Sequence, residues 1–156
     1  MKIGIFVHSK TGNTLSVAQR LQDKLISAGH TSCIHRISAV NDEEIDFKKI
    51  ELHDKPDVQG YDVLVFGAPV RGFSLSAVMH SYLTSIGSLK GRETACFMTQ
   101  SFPYPWMGGN RALKQLCKIC TDKGANILET GIINWSNAAK RETLIQALLE
   151  KFCKLT

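Results

Sequence analysis

Residues 2–14 constrain this chain more than any other stretch. Lys2-Ile3-Gly4-Ile5-Phe6-Val7-His8 is a short apolar run rich in β-branched residues, the pattern of a strand buried on both faces. It passes directly into a small polar segment, Ser9-Lys10-Thr11-Gly12-Asn13-Thr14. Leu15, Ala18, Leu21 and Leu25 then recur at helical spacing as far as Gly29, a natural C-cap. A buried strand, a tight polar loop and an amphipathic helix open an α/β sheet with helices packed against it.

The rest of the chain continues the alternation. Residues 31–38 read as a second strand. Residues 39–60 are polar and acidic, and read as loop with one short helix. Asp62–Phe66 reads as a buried strand closed by Gly67-Ala68-Pro69, and a helix follows at 76–87. The remaining expectations are a strand at 94–99, a loop at 100–109, a helix at 109–123, a strand at 126–133 and a helix at 138–153. Alternation at this spacing predicts a doubly wound, five-stranded parallel sheet with helices on both faces. Right-handed crossovers leave few topologies open. A length of 156 residues suits one domain, 1–156.

Three kinds of phosphate loop can follow the first strand of such a sheet. The dinucleotide fingerprint needs GxGxxG, but the segment has one glycine, Gly12. The nucleoside triphosphate loop needs GxxxxGK[ST], and that is absent. The third kind holds a phosphate monoester with hydroxyl groups and helix-terminal amides. Ser9, Thr11 and Thr14 bring hydroxyls, Asn13 brings an amide, and Gly12 permits a tight turn. The following helix points amide N–H groups and about half a positive charge at the anion. Four polar donors in six residues exceed what N-capping alone requires.

Ser9-Lys10-Thr11-Gly12-Asn13-Thr14 resembles the [ST]-x-T-G-x-T phosphate loop of flavodoxins. The resemblance implies the sheet order 2-1-3-4-5 and one FMN bound at the carboxyl ends of strands 1, 3 and 4. Two further loops strengthen it. Gly67-Ala68-Pro69-Val70-Arg71-Gly72-Phe73 is similar to the family's G-x-P-x-x-G loop, which implies that Pro69, Val70, Arg71, Gly72 and Phe73 line the isoalloxazine. Thr99-Gln100-Ser101-Phe102-Pro103-Tyr104-Pro105-Trp106 follows the fourth strand. Aromatic residues are unexpected on a polar loop and suit a flat cofactor. Thr99, Gln100, Ser101 and Phe102 are expected at the pyrimidine edge, Tyr104 or Trp106 on one flavin face and Phe73 on the other. This loop departs from flavodoxins in its two prolines and extra aromatics.

The formal net charge is +5, whereas flavodoxins are typically acidic. The basic residues are scattered, with no stripe and no interleaved aromatics, so nucleic acid is not an expected partner. No apolar run approaches the roughly 20 residues that span a bilayer, and the N-terminal run lacks a small-residue cleavage site. Five cysteines, an odd number, read as reduced thiols in a cytoplasmic protein. Cys117 and Cys120 form a CxxC inside a predicted helix and read as small core-facing residues. His8 reads as structural. No metal site or catalytic acid stands out, and flavin chemistry needs none.

Two function classes follow. One is an electron carrier serving a redox protein partner. The other is an NAD(P)H-dependent FMN oxidoreductase acting on a quinone, flavin or porphyrin-like acceptor. The absence of a second nucleotide motif favours the carrier. Arg71 bears on both: directed at the flavin pyrimidine it would favour two-electron reduction, and directed at solvent it would have no effect. A phospho-receiver module is excluded, since strand 1 ends in His8-Ser9 and strand 3 in Phe66-Gly67, without its acidic residues.

Overall fold

The computed structural model describes residues 1–155; residue 156 lies outside the described residues. The central sheet contains β1 (Lys2–Val7), β2 (Thr31–Arg36), β5 (Val63–Arg71), β7 (Glu93–Gln100) and β8 (Asn126–Asn134), ordered β2-β1-β5-β7-β8 with every pair parallel. Counting these five alone gives the predicted order 2-1-3-4-5. The helices are α1 (Asn13–Ser27), α2 (Ala77–Ser85), α3 (Gly109–Asp122) and α4 (Ala138–Cys153).

Strand alternation sorts the core into two layers. Ile3, Ile5, Val7, Val63, Val65, Ala95 and Phe97 pack with Val17, Leu21 and Leu25 of α1 and Ile145, Leu148 and Leu149 of α4. Phe6, Leu64, Phe66, Cys96 and Met98 face the other way, onto Val78, Met79, Tyr82 and Leu83 of α2 and Ala112, Leu116 and Cys120 of α3. Continuous apolar runs in the sequence are therefore strands buried twice over.

Gly67 shows how tight the first layer is. A Cβ at Gly67 would lie 2.2 Å from the Phe97 ring. The glycine lets a fully buried phenylalanine on the neighbouring strand fill the space.

Two expectations need correction. Strand β5 does not close at Gly67-Ala68-Pro69 but continues to Arg71. Beyond Gly67 it has left β1 and keeps β7 as neighbour, with Pro69 opposite Thr99. Proline's missing N–H therefore interrupts no ladder on the β1 side. The strand then folds back on β6 (Ser74–Leu75), pairing Val70 with Leu75 and Arg71 with Ser74. The two turn residues, Gly72 and Phe73, both have positive φ, 57° and 60°, as a type I′ turn requires.

The second correction concerns 31–60. The strand expected over 31–38 leaves the sheet after Arg36. Ser38–Ala39 (β3) pairs antiparallel with Leu52–Asp54 (β4), and the short helix is one 3-10 turn at Phe47–Lys49. Strands of two and three residues are too short to show a period. None of the helices is long and apolar enough to cross a membrane, among the described residues.

Candidate functional site

The carboxyl ends of β1, β5 and β7 converge, and between them lies an open cleft. Its lining is Lys10, Thr11, Asn13 and Thr14 from the first loop, Pro69, Val70 and Arg71 from the second, and Thr99, Gln100 and Ser101 from the third. One cleft thus gathers residues from all three loops singled out in the sequence.

The first loop turns directly into α1. Gly12 precedes α1 with φ 95°, in the left-handed region that glycine tolerates. Gly12 has no side chain to cap the helix, and the first turn holds no acidic residue. Ser9 Oγ accepts from Leu15 N at 3.2 Å, so Ser9 braces the loop from behind. Lys10, Thr11, Asn13 and Thr14 line the cleft where α1 begins. This donor set fits a phosphate monoester.

The loops are bonded to one another. Thr14 Oγ1 and Thr99 Oγ1 are 2.8 Å apart in a buried contact, joining the first loop to the third. Gln100 Nε2 donates to the carbonyls of Phe102 at 2.8 Å and Tyr104 at 2.7 Å. Those two bonds set the path of the aromatic loop. Gly108, φ 107°, caps α3, and a Cβ there would lie 2.8 Å from Phe73 Cα. The third loop therefore presses directly on the second.

Seven expected site residues do not line the cleft. Ser9 and Gly12 support the cradle instead. Gly72 borders a neighbouring cleft with Glu44, Ile45 and Arg71. Phe73 and Phe102 stack on each other, 5.4 Å between centroids and 2° between planes. Tyr104 and Trp106 stack likewise, 5.8 Å and 6°, and Lys140 Nζ lies 5.9 Å from the Tyr104 centroid. All four aromatic residues are exposed, Trp106 at 73%. The rings pair with each other outside the cleft.

Two residues that the sequence left in an acidic loop, Asp42 and Glu43, prove to hold the basic side chains of the lining. Arg71 Nη1 donates to Asp42 O at 2.7 Å, and Arg71 also lies 3.6 Å from the Glu43 carboxylate and 3.9 Å from that of Asp42. Glu43 further accepts from Lys10 Nζ at 2.5 Å. The Lys10 bond, with Arg71 nearby, holds the Glu43 carboxyl below its usual range. Arg71 is therefore neither free in solvent nor an unpaired cation. Asp42 also meets His8 Nε2 at 2.7 Å, while His8 Nδ1 and Ser76 Oγ are 2.9 Å apart. Burial pushes the His8 pKa down. Both ring nitrogens of His8 thus have partners. His8 joins the end of β1 to the Asp42 loop and to the start of α2. Nothing in residues 39–60 betrayed this role beyond the presence of carboxylates.

The sequence model of the flavodoxin family, "Flavodoxin", matches residues 5–147. This chain belongs to the flavodoxin family. Its fold agrees: Flavodoxin 2 from Bacillus cereus superimposes with a TM-score of 0.72 at 20% identity, covering 100% of each chain. A flavodoxin, WrbA-like protein from Agrobacterium tumefaciens gives 0.71 at 13% identity, covering 98% of this chain and 97% of that one. A curated relative, an NAD(P)H dehydrogenase (quinone) from Archaeoglobus fulgidus, is 25% identical over 129 residues, 71% of this chain. The chain spans 66% of that relative's length, just under two thirds. As a flavodoxin-family member the chain is a flavin redox protein, and its chemistry is oxidation–reduction and electron transport.

Proposed function

We propose that this flavodoxin binds FMN in the three-loop cleft and passes electrons through it to a redox protein partner or a small-molecule acceptor, in the cytoplasm. The observation that carries the reading is the single cleft lined by all three loops. When bound, FMN supplies the redox chemistry, accepting and releasing electrons at its ring.

The residues divide the remaining work. The loop from Ser9 to Thr14 grips the phosphate through Thr11, Asn13 and Thr14 together with the α1 amides. Gly12 lets the backbone turn, and Lys10 adds charge. The ring lies along Pro69, Val70 and Arg71 on one side and Thr99, Gln100 and Ser101 on the other. Phe73 with Phe102, and Tyr104 with Trp106, cover its exposed edge and limit water access. Gly72 fixes the turn that presents Phe73.

Thr11→Asp tests the cradle, because it sets a carboxylate against a phosphate dianion. FMN affinity, read from the fluorescence of free flavin, is expected to fall at least about tenfold, equivalent to roughly 1.4 kcal/mol. Unchanged affinity would remove the loop assignment.

A second reading is an NAD(P)H-dependent FMN oxidoreductase acting on a quinone, flavin or porphyrin-like acceptor. Similarity to the archaeal quinone dehydrogenase supports it. Anaerobic mixing of the FMN-loaded protein with NADPH separates the two: rapid bleaching of the flavin favours the reductase, and a persistent yellow colour favours the carrier.

A further inference from the structure

Charge is divided across the sheet. Residues 42–62 hold eight of the chain's fourteen acidic residues against three lysines. Two of the eight, Asp42 and Glu43, hold Arg71 and Lys10 on the β1–β5 side of the cleft. The β7–β8 side is the reverse. Residues 94–121 and 130–141 contain Arg111, Lys114, Lys118, Lys140 and Arg141 and no acidic residue. Lys118 pairs with Asp122. Arg111, Lys140 and Arg141 belong to no ion pair among the described residues.

The aromatic loop runs through this basic ground. Phe102, Tyr104 and Trp106 are exposed. Lys140 Nζ lies beside the Tyr104 ring, and the Arg141 guanidinium lies 4.9 Å from the Trp135 centroid. Trp135 N donates to Gln100 O at 2.8 Å, which joins the end of β8 to the loop. Arg111 stands in the first turn of α3, where the loop ends. The loop is braced from within: Met107 N donates to Tyr104 O at 3.0 Å and Asn110 N to Pro105 O at 2.8 Å. Exposed rings on a braced loop lose little freedom on binding. Trp, Tyr and Arg are the side chains that dominate protein interfaces.

We propose that the third loop, with the starts of α3 and α4, is the docking face for an acidic protein on the β7–β8 side of the cleft. Tyr104 and Trp106 are its anchors, and Arg111, Lys140 and Arg141 are the cations around them. The proposal rests on the reading that this protein passes electrons to a protein partner. Such a partner brings its own redox centre to the cleft, which a lipid surface does not. Residues 42–62 repel the same acidic surface from the other side, so the division of charge sets the orientation of docking as well as its place.

The test follows the amide spectrum of isotope-labelled full-length protein, supplied with FMN, as an acidic plant-type ferredoxin is added at low salt. Changes are expected at the Trp106 indole N–H and at the amides of 101–111 and 135–141, and they should fade as salt is added. Arg111→Glu combined with Lys140→Glu should weaken ferredoxin binding about tenfold. Lys49→Glu combined with Lys154→Glu makes the same change in net charge elsewhere, and should alter binding by less than about twofold. Lys154 caps the far end of α4, roughly 21 Å along the helix from Lys140. No binding at low salt, changes centred on Lys48, Lys49 and Lys55, or equal weakening by the two pairs would overturn the proposal. So would loop changes in the unmixed protein as its own concentration rises, since the occupant would then be a second copy. Loop changes with vesicles of phosphatidylglycerol and phosphatidylcholine in equal parts, but none with ferredoxin, would overturn it in favour of a membrane. Flavin content is read from the absorbance of the same samples. A colourless protein that binds ferredoxin at the loop loses the cofactor reading alone, and a yellow one that does not bind loses the docking face alone. If a charge-reversed variant fails to fold, the map of the unsubstituted protein decides.

Discussion

His8 ties the end of β1 to Asp42 and Ser76, and its environment makes it a source of pH dependence. Burial lowers its pKa below the ordinary 6.5. The unfolded chain therefore binds a proton at higher pH than the native one, and stability rises with pH across that window. The contribution is complete above about pH 6.5 and is lost as pH falls toward the native value. Burial shifts His35 and His80 the same way, so they add to the trend. Urea midpoints measured at pH 7.5 and 5.5 should decline on acidification, and His8→Gln should flatten the slope. Phe73 raises a different question, since a non-glycine residue at φ 60° costs roughly 1 kcal/mol or more. Its exposed stack on Phe102 returns about 0.5–1.5 kcal/mol. The two effects nearly cancel, so Phe73→Gly should leave the urea midpoint almost unchanged. If the ring covers the flavin as proposed, FMN affinity falls in the same variant. A large loss of stability instead would mark the ring as structural.

At the scale of elements, the meeting of β5 and β7 is the least forgiving contact on the way to the cleft. Gly67→Ala would drive a methyl into the buried Phe97 ring, and overpacking of this kind costs about 1–3 kcal/mol. A drop in thermal midpoint with retained circular dichroism would bear this out. Most of the elements were legible beforehand because they are long and doubly buried. Helix α4 was expected at 138–153 and is found there. What escaped was short or set by distant partners. β3 and β4 have too few residues for a pattern, and β6 exists only because the Gly72-Phe73 turn returns the chain onto β5. The cleft shows the same division. Thr11, Asn13 and Thr14 could be read from their spacing after a strand. The reach of Asp42 and Glu43 to Lys10 and Arg71 depends on how an irregular segment folds back, which no local spacing encodes. Phe102, Tyr104 and Trp106 stood out as unexpected on a polar loop, but the stacking of Phe102 on Phe73 and of Tyr104 on Trp106 was not foreseen.

For the molecule as a whole, a net charge of +5 predicts association with an acidic partner surface and a rate that falls as salt is added. The cations nearest the cleft are a separate matter, because Arg71 is already held by Asp42 and Glu43. Arg71→Gln in the FMN-loaded protein should lower the midpoint potential of the flavin, since a positive charge favours the reduced, more negative ring. The shift should be smaller than an unpaired arginine would give. An unchanged potential in a redox titration would mean that the acidic neighbours neutralise Arg71 fully.

The Lys10–Glu43–Arg71 arrangement has one more consequence. The cradle comes supplied with its own counterion, tethered by the backbone instead of drawn from solution. Added electrolyte loosens the grip of Glu43 on Lys10 even as it shields Lys10 from an incoming phosphate, and the two influences oppose each other. Cofactor retention should therefore vary with ionic strength far less than two basic side chains beside a dianion would suggest.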